Sequence, residues 1–149
     1  MGASGWRYVA PYQEDLGAAL QALRAAEFAS GDYCSPTEWG MPAPASVDEL
    51  FENELYWEFL GTNGTHSVLD VGRVISADED HGFGTLRPLA ASVIQAGFGT
   101  DKPSRANFDA MDSETLDALD QVPRWSGCCI VLYKDGIPDE IAFWGVSGD

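Results

Sequence analysis

Between Glu14 and Phe28, Leu16, Leu20 and Leu23 recur at helical spacing, with Ala19, Ala22 and Ala26 beside them. That periodicity predicts an amphipathic helix. Glu14 and Asp15 suit its positive N-terminal end, and Gly31 suits its stop. Ahead of it, Trp6, Tyr8, Ala10 and Tyr12 fall on alternate positions, so a short strand is expected with Pro11 near its end. The stretch from Asp32 to Ala45 holds Pro36, Pro42, Pro44 and Gly40 and predicts an irregular loop. A loop of that length in a compact domain is either a functional lid or a simple excursion. Ser46 then precedes Glu49 by three residues, the spacing of a capping box. The helix it opens is expected to reach about Leu60, with Val47, Phe51, Leu55 and Phe59 on one stripe and Gly61–Gly64 ending it.

His66 to Ile75 is rich in Val, Leu and Ile and reads as a strand, followed by a polar loop from Ser76 to Gly84. Pro88 to Ala96 predicts a short helix with the proline in its first turn, and one or two further short helices are expected over Ser104 to Leu119. Cys128–Tyr133 and Glu140–Trp144 flank Lys134-Asp135-Gly136, the pattern of an antiparallel hairpin. Strands separated by unevenly placed helices point to an α+β fold. The expected architecture is a small, mostly antiparallel sheet ending in the C-terminal hairpin. The two main helices pack on one face, and short helices fill the 88–120 region. A chain of 149 residues suits a single domain spanning 1–149.

Charge changes the picture more than any motif. Twenty-four Asp and Glu against eight Lys and Arg leave a formal net charge of −16. Hydrophobic residues nevertheless make up 45% of the chain, with five tryptophans, which is far from the composition of a disordered segment. A surface this acidic repels phosphate backbones and anionic membranes and attracts basic proteins. Nucleic acid and membrane are therefore not expected partners. No run approaches 18 apolar residues, and the first residues lack the basic start and apolar core of a secretory signal, so a cytoplasmic protein is expected. The three cysteines are expected as reduced thiols, with adjacent Cys128 and Cys129 directed to opposite faces of a strand.

Candidate chemistry is sparse. Gly61 to Ser67 turns sharply and delivers Thr65, His66 and Ser67 to the mouth of the expected strand, where His66 could act as a base oriented by Asp70. Four residues of strand would separate that pair by about 13 Å, so a histidine bonded to the backbone of a turn is the preferred reading. The acidic run Asp78-Glu79-Asp80-His81-Gly82 lacks the alternating ligands of a calcium loop and reads as a solvated turn. Zinc would require His66, His81, Cys34 or a strand cysteine to converge without any paired-ligand spacing, so neither metal nor cofactor is expected. Cys128 and Cys129 read as buried strand residues, not nucleophiles.

The second helix is different. Asp48, Glu49, Glu52, Glu54 and Glu58 crowd a stretch with no Lys or Arg between Arg24 and Arg73. Tyr33, Trp39, Tyr56 and Trp57 lie in or beside it, and aromatics of this kind anchor binding hot spots when exposed. The candidate binding residues are therefore the five acids with Tyr33, Trp39 and Trp57.

Gly5-Trp6-Arg7-Tyr8, Gly64 to Asp70, Phe98 to Pro103, Arg124 to Gly127 and Ile141 to Gly145 resemble stretches of a family of small acidic actinobacterial proteins known only as uncharacterised. The resemblance spans most of the chain and implies one domain; it brings no activity and no site residues. The expected function is a non-enzymatic cytoplasmic protein that engages a basic protein partner, its sharpest form being an immunity or antitoxin-like role. The alternative is a small enzyme or ligand-binding module with a pocket near His66 and the 31–45 loop, with Arg7, Arg73 and Arg87 to hold an anionic group.

Overall fold

The computed structural model describes residues 4–149, over which the chain forms an α+β fold. β1 (Gly5–Pro11) leads to α1 (Leu16–Ser30), which Asp15 caps by accepting from the Ala18 amide and Gly31 closes in a left-handed conformation. A 3-10 turn, Pro36–Trp39, interrupts the loop before α2 (Val47–Glu52) and α3 (Glu54–Asn63). A second 3-10 turn, Val68–Asp70, precedes β2 (Arg73–Val74) and β3 (Thr85–Pro88). Three short helices follow, α4 (Ala91–Phe98), α5 (Arg105–Asp109) and α6 (Ser113–Asp120), and then the long strands β4 (Ser126–Lys134) and β5 (Ile137–Val146).

The five strands form one mixed sheet in the order β1-β5-β4-β3-β2. Its longer half is antiparallel: β1 pairs with β5 from Gly5↔Val146 to Pro11↔Glu140, and β5 with β4 through the hairpin. Asp135 and Gly136 both adopt positive φ, 53° and 76°, which matches the turn to the right-handed twist of the strands. The short edge is parallel, β4 with β3 and β3 with β2.

Strand alternation divides the core. Cys129, Ile141 and Phe143 join Trp6, Leu86, Val68 and Val71 beneath α1, where Ala19 and Leu20 are fully enclosed. Cys128, Ile130, Leu132 and Trp144 face the other way, onto Leu89, Phe108 and Leu116 from the α4–α6 side. A third cluster, Leu50, Tyr56, Phe59, Leu60 and Leu69, seats α2 and α3 beside Phe28 of α1. Cys34, Cys128 and Cys129 are all free thiols.

Several local elements differ from expectation, each for an identifiable reason. The helix expected from Ser46 to Leu60 is broken at Asn53, whose backbone is extended (φ −80°, ψ 117°). Its N–H closes α2 on the Glu49 carbonyl, while its side chain accepts from the Leu55 amide and starts α3. The restart changes the helical phase, so Leu55 leaves the expected apolar stripe and is 66% exposed. The strand expected over His66–Ile75 pairs only at Arg73–Val74. Ser67 instead caps a 3-10 turn by accepting from the Leu69 amide, and Val68, Leu69, Asp70 and Val71 are all buried without alternation. Pro88 ends β3 and does not open the next helix, which begins at Ala91.

Candidate functional site

The acids named from the sequence stand on α2 and α3. Ser46 accepts from the Glu49 amide, and the Glu49 carboxylate turns back onto the Ala45 N–H, which leaves Glu49 half-buried. Asp48, Glu52, Glu54 and Glu58 are exposed. Among the described residues, none of these five carboxylates has an ion-pair partner within 4.0 Å.

Aromatic rings lie between and beside these acids. Trp57, 37% exposed, packs against Phe51 (centroids 6.4 Å apart), Phe83 (5.9 Å) and Trp125 (5.6 Å), and Phe83 meets Trp125 at 4.9 Å. Phe83 is itself 57% exposed. Next to this patch a cavity of about 310 Å³ opens between α2 and the β2 region, walled by Val47, Phe51, Leu69 and Phe83 and edged by Arg24, Arg73, Asp48 and Glu52. Trp39 is 67% exposed and sets its ring edge-on to Phe59 at 4.9 Å. Tyr33 is half-buried, stacked on Phe28. Sequence reasoning missed Phe83 and Trp125 as members of this surface. The available signal was a large aromatic between Gly82 and Gly84 in an otherwise polar loop.

His66 and Asp70 do not form the pair considered from the sequence. The buried Asp70 carboxylate accepts from the Thr65 N–H and hydroxyl, both at 2.8 Å, and from the Ser147 hydroxyl at 2.6 Å. Burial raises the Asp70 pKa, opposed by those same Ser147 and Thr65 hydrogen bonds. The exposed His66 ring instead places Nε2 3.3 Å from the carboxylate of Asp149, while the His66 backbone N–H donates to Ser147 Oγ. The 3-10 turn explains the change, because it folds Asp70 back beneath Thr65 instead of carrying it along a strand. Burial works against ionisation of Asp149, but hydrogen bonds from Ser4 and the nearby His66 hold its carboxyl below the usual range.

A depression of about 450 Å³ is lined by His66 and Thr65 and by Tyr33, Cys34 and Glu38 of the preceding loop, whose Cys34 N–H donates to the Thr65 carbonyl at 2.8 Å. The Cys34 thiol donates to Glu38 at 3.1 Å, and burial together with that carboxylate pushes it up to about 11. A thiol so held stays protonated at neutral pH and is a poor nucleophile. The three arginines considered as an anion clamp do not converge. Arg7 donates to the Met111 and Phe108 carbonyls, Arg73 borders the α2 cavity, and Arg87 is bound to Asp120.

A second set of reactive side chains meets on the opposite face of the sheet. Asp120, at the end of α6, is clasped by Arg87 Nε (3.0 Å) and Nη2 (2.7 Å). The same carboxylate lies 3.2 Å from His81 Nε2 and 3.1 Å from Cys128 Sγ. Burial and then the Arg87 charge lower the His81 pKa, while burial and Asp120 drive the Cys128 thiol far up. Cys128 is therefore a thiol, not a thiolate nucleophile. The spacing along the chain does not bring His81 and Cys128 together, and the 78–82 run read as a solvated turn in fact withdraws the His81 ring from solvent, because the short β3 strand carries that loop to β4.

No helix among the described residues is long and apolar enough to cross a membrane. Comparison with protein-family models, curated proteins and solved structures finds no match to this chain.

Proposed function

We propose that this protein is a non-enzymatic binding protein that captures a basic protein through the α2–α3 face, in the manner of an immunity protein or antitoxin acting in the cytoplasm. The observation that carries this reading is the partly exposed Trp57–Phe83–Trp125 patch beside α2–α3 carboxylates that, among the described residues, have no ion-pair partner within 4.0 Å. Aromatic rings supply desolvated anchors, and unpaired like charges around them lower the cost of bringing in a cation. Carboxylates at i,i+4, such as Glu54 and Glu58, cost the isolated protein a few tenths of a kcal/mol. A cationic partner removes that repulsion and is also steered to the face.

The test is affinity capture from the host followed by purification of the captured basic protein. Binding is then compared between the wild type and a Glu52→Gln, Glu54→Gln, Glu58→Gln variant. The proposal expects the variant to bind more slowly and to lose most of the salt dependence. Equal rates for the two proteins, or no captured partner, would sink it.

A second reading is favoured by the His66–Asp149 contact at the rim of the Tyr33–Cys34 depression, an arrangement suited to orient an imidazole towards a small ligand. On that reading His66→Ala removes ligand binding while the melting temperature stays within about 2 °C of wild type, since the exposed ring contributes little packing. A loss of stability without loss of binding would make the histidine structural.

A further inference from the structure

Three potential metal-binding atoms, drawn from distant points of the chain, meet against β4: His81 Nε2, Asp120 Oδ2 and Cys128 Sγ. His81 lies in the loop before β3, Asp120 ends α6, and Cys128 projects from the sheet. Their separations are 3.2 Å for His81–Asp120, 3.1 Å for Asp120–Cys128 and 3.8 Å for His81–Cys128. Zinc holds imidazole nitrogen and carboxylate oxygen at about 2.0–2.2 Å and thiolate at about 2.3 Å, so neighbouring ligands in a tetrahedron stand roughly 3.3–3.6 Å apart. The three atoms therefore outline one face of such a tetrahedron to within a few tenths of an ångström.

The surroundings fit the same chemistry. His81 Nδ1 lies 3.0 Å from Thr85 Oγ1, and that hydroxyl sits 3.0 Å from the Gly82 carbonyl, to which it can donate. A threonine oxygen accepting from Nδ1–H fixes the tautomer in which the Nε2 lone pair points at Asp120 and Cys128. Outer partners of this kind orient histidine ligands in metal sites. In that tautomer the Nε2 lone pair and the Asp120 oxygen oppose each other at 3.2 Å, a repulsion that a metal ion, or a proton on Nε2, relieves. The Asp120 carboxylate is oriented from behind, with Arg87 Nη2 on Oδ1 leaving Oδ2 to face the histidine and the thiol, although Arg87 Nε shares that oxygen. The side chains are largely withdrawn from solvent, at 7% exposure for His81 and 15% for Asp120, with Cys128 fully buried. A soft sulfur beside a nitrogen and an oxygen selects zinc over calcium or magnesium.

We infer that His81, Asp120 and Cys128 form a three-ligand zinc site, with a water molecule completing the tetrahedron. Binding forms a sulfur–zinc bond, breaks the Cys128 S–H bond and releases the proton to the buffer, with no change of oxidation state. The ion would tie α6 and the loop before β3 to the centre of the sheet.

The test uses the full chain, reduced and stripped with a chelator, then titrated with Co²⁺ as a spectroscopic substitute. The wild type should take up one equivalent and show a near-ultraviolet thiolate-to-cobalt band with tetrahedral visible absorption, both bleached by added Zn²⁺. Cys34→Ser should keep the band, while Cys128→Ser and His81→Ala should lose it at metal concentrations that saturate the wild type. Far-ultraviolet circular dichroism checks that each variant is folded. Absence of the band in folded wild type would overturn the site without recourse to any variant. That outcome would assign the cluster to the other tautomer, with Nε2–H donated to Asp120 and no metal. A band that survives Cys128→Ser, or that depends on Cys34, would overturn it equally.

Discussion

Gly64 holds the backbone at φ 67°, ψ −178°, a conformation open essentially to glycine alone. A Cβ there would also collide with Ser147 Oγ and Asp70 Oδ2, the two groups that lock the His66 turn to the C-terminus. Gly64→Ala is therefore expected to cost about 2–4 kcal/mol in denaturant unfolding, from strain and a broken buried hydrogen bond together. A change below about 0.5 kcal/mol would show that the turn tolerates a side chain. Asp117 on α6 supplies a pH-dependent case. Burial pushes its carboxyl up to about 6 in the folded protein, above its value in the unfolded chain. The folded state then holds a proton that the unfolded state has lost, so this group makes stability fall as pH rises from about 4 to about 6. Asp117→Asn should remove that part of the slope and be more stable than wild type at neutral pH. A variant whose stability curve runs parallel to wild type over this window would contradict the assignment. At this scale the sequence carried little of the geometry. The helix stop was legible only at Gly64, since α3 runs on through Gly61 to Asn63, and the redirection of Asp70 depends on Ser147, which lies 77 residues away from it along the chain.

At the scale of elements, strong periodicity with a matching cap was readable and short pieces were not. α1 and the β4–β5 hairpin follow directly from leucine spacing, Asp15, and the Asp135-Gly136 turn. β2 and β3 have two and four residues, too few for alternation to declare itself, and they exist because β4 offers a parallel edge. The break at Asn53 is the instructive case. Its side chain competes for the Leu55 amide, and this local bond outweighs one turn of continuous helix. Asn53→Ala should lower stability by about 1 kcal/mol through loss of the α3 cap. Because Trp57 sits one turn into α3, the same variant should also shift the tryptophan emission. Unchanged stability and emission would mean that α2 and α3 are positioned by packing alone.

Across the whole molecule, charge and sheet position divide the labour. The α+β core is closed on one face by the long helix α1 and on the other by the short helices α4–α6, and the candidate binding features lie outside it. The acids of α2–α3 were legible in the sequence because they need no tertiary information. The aromatic patch was only half legible: Trp57 was evident, whereas Phe83 and Trp125 reach it from the loop before β3 and the entry to β4. A net charge of −16 spread evenly would serve solubility alone. Five of the twenty-four acids stand on α2–α3 beside partly exposed rings, and the proposed recognition rests on that local cluster and not on the total charge. The direct measurement is calorimetric titration of the captured basic partner into wild type and Trp57→Ala at low and high salt. Recognition through this face predicts roughly thirty-fold weaker binding for Trp57→Ala at either salt concentration. It also predicts weaker wild-type binding as salt rises. An affinity that responds to neither the tryptophan nor the salt would contradict it.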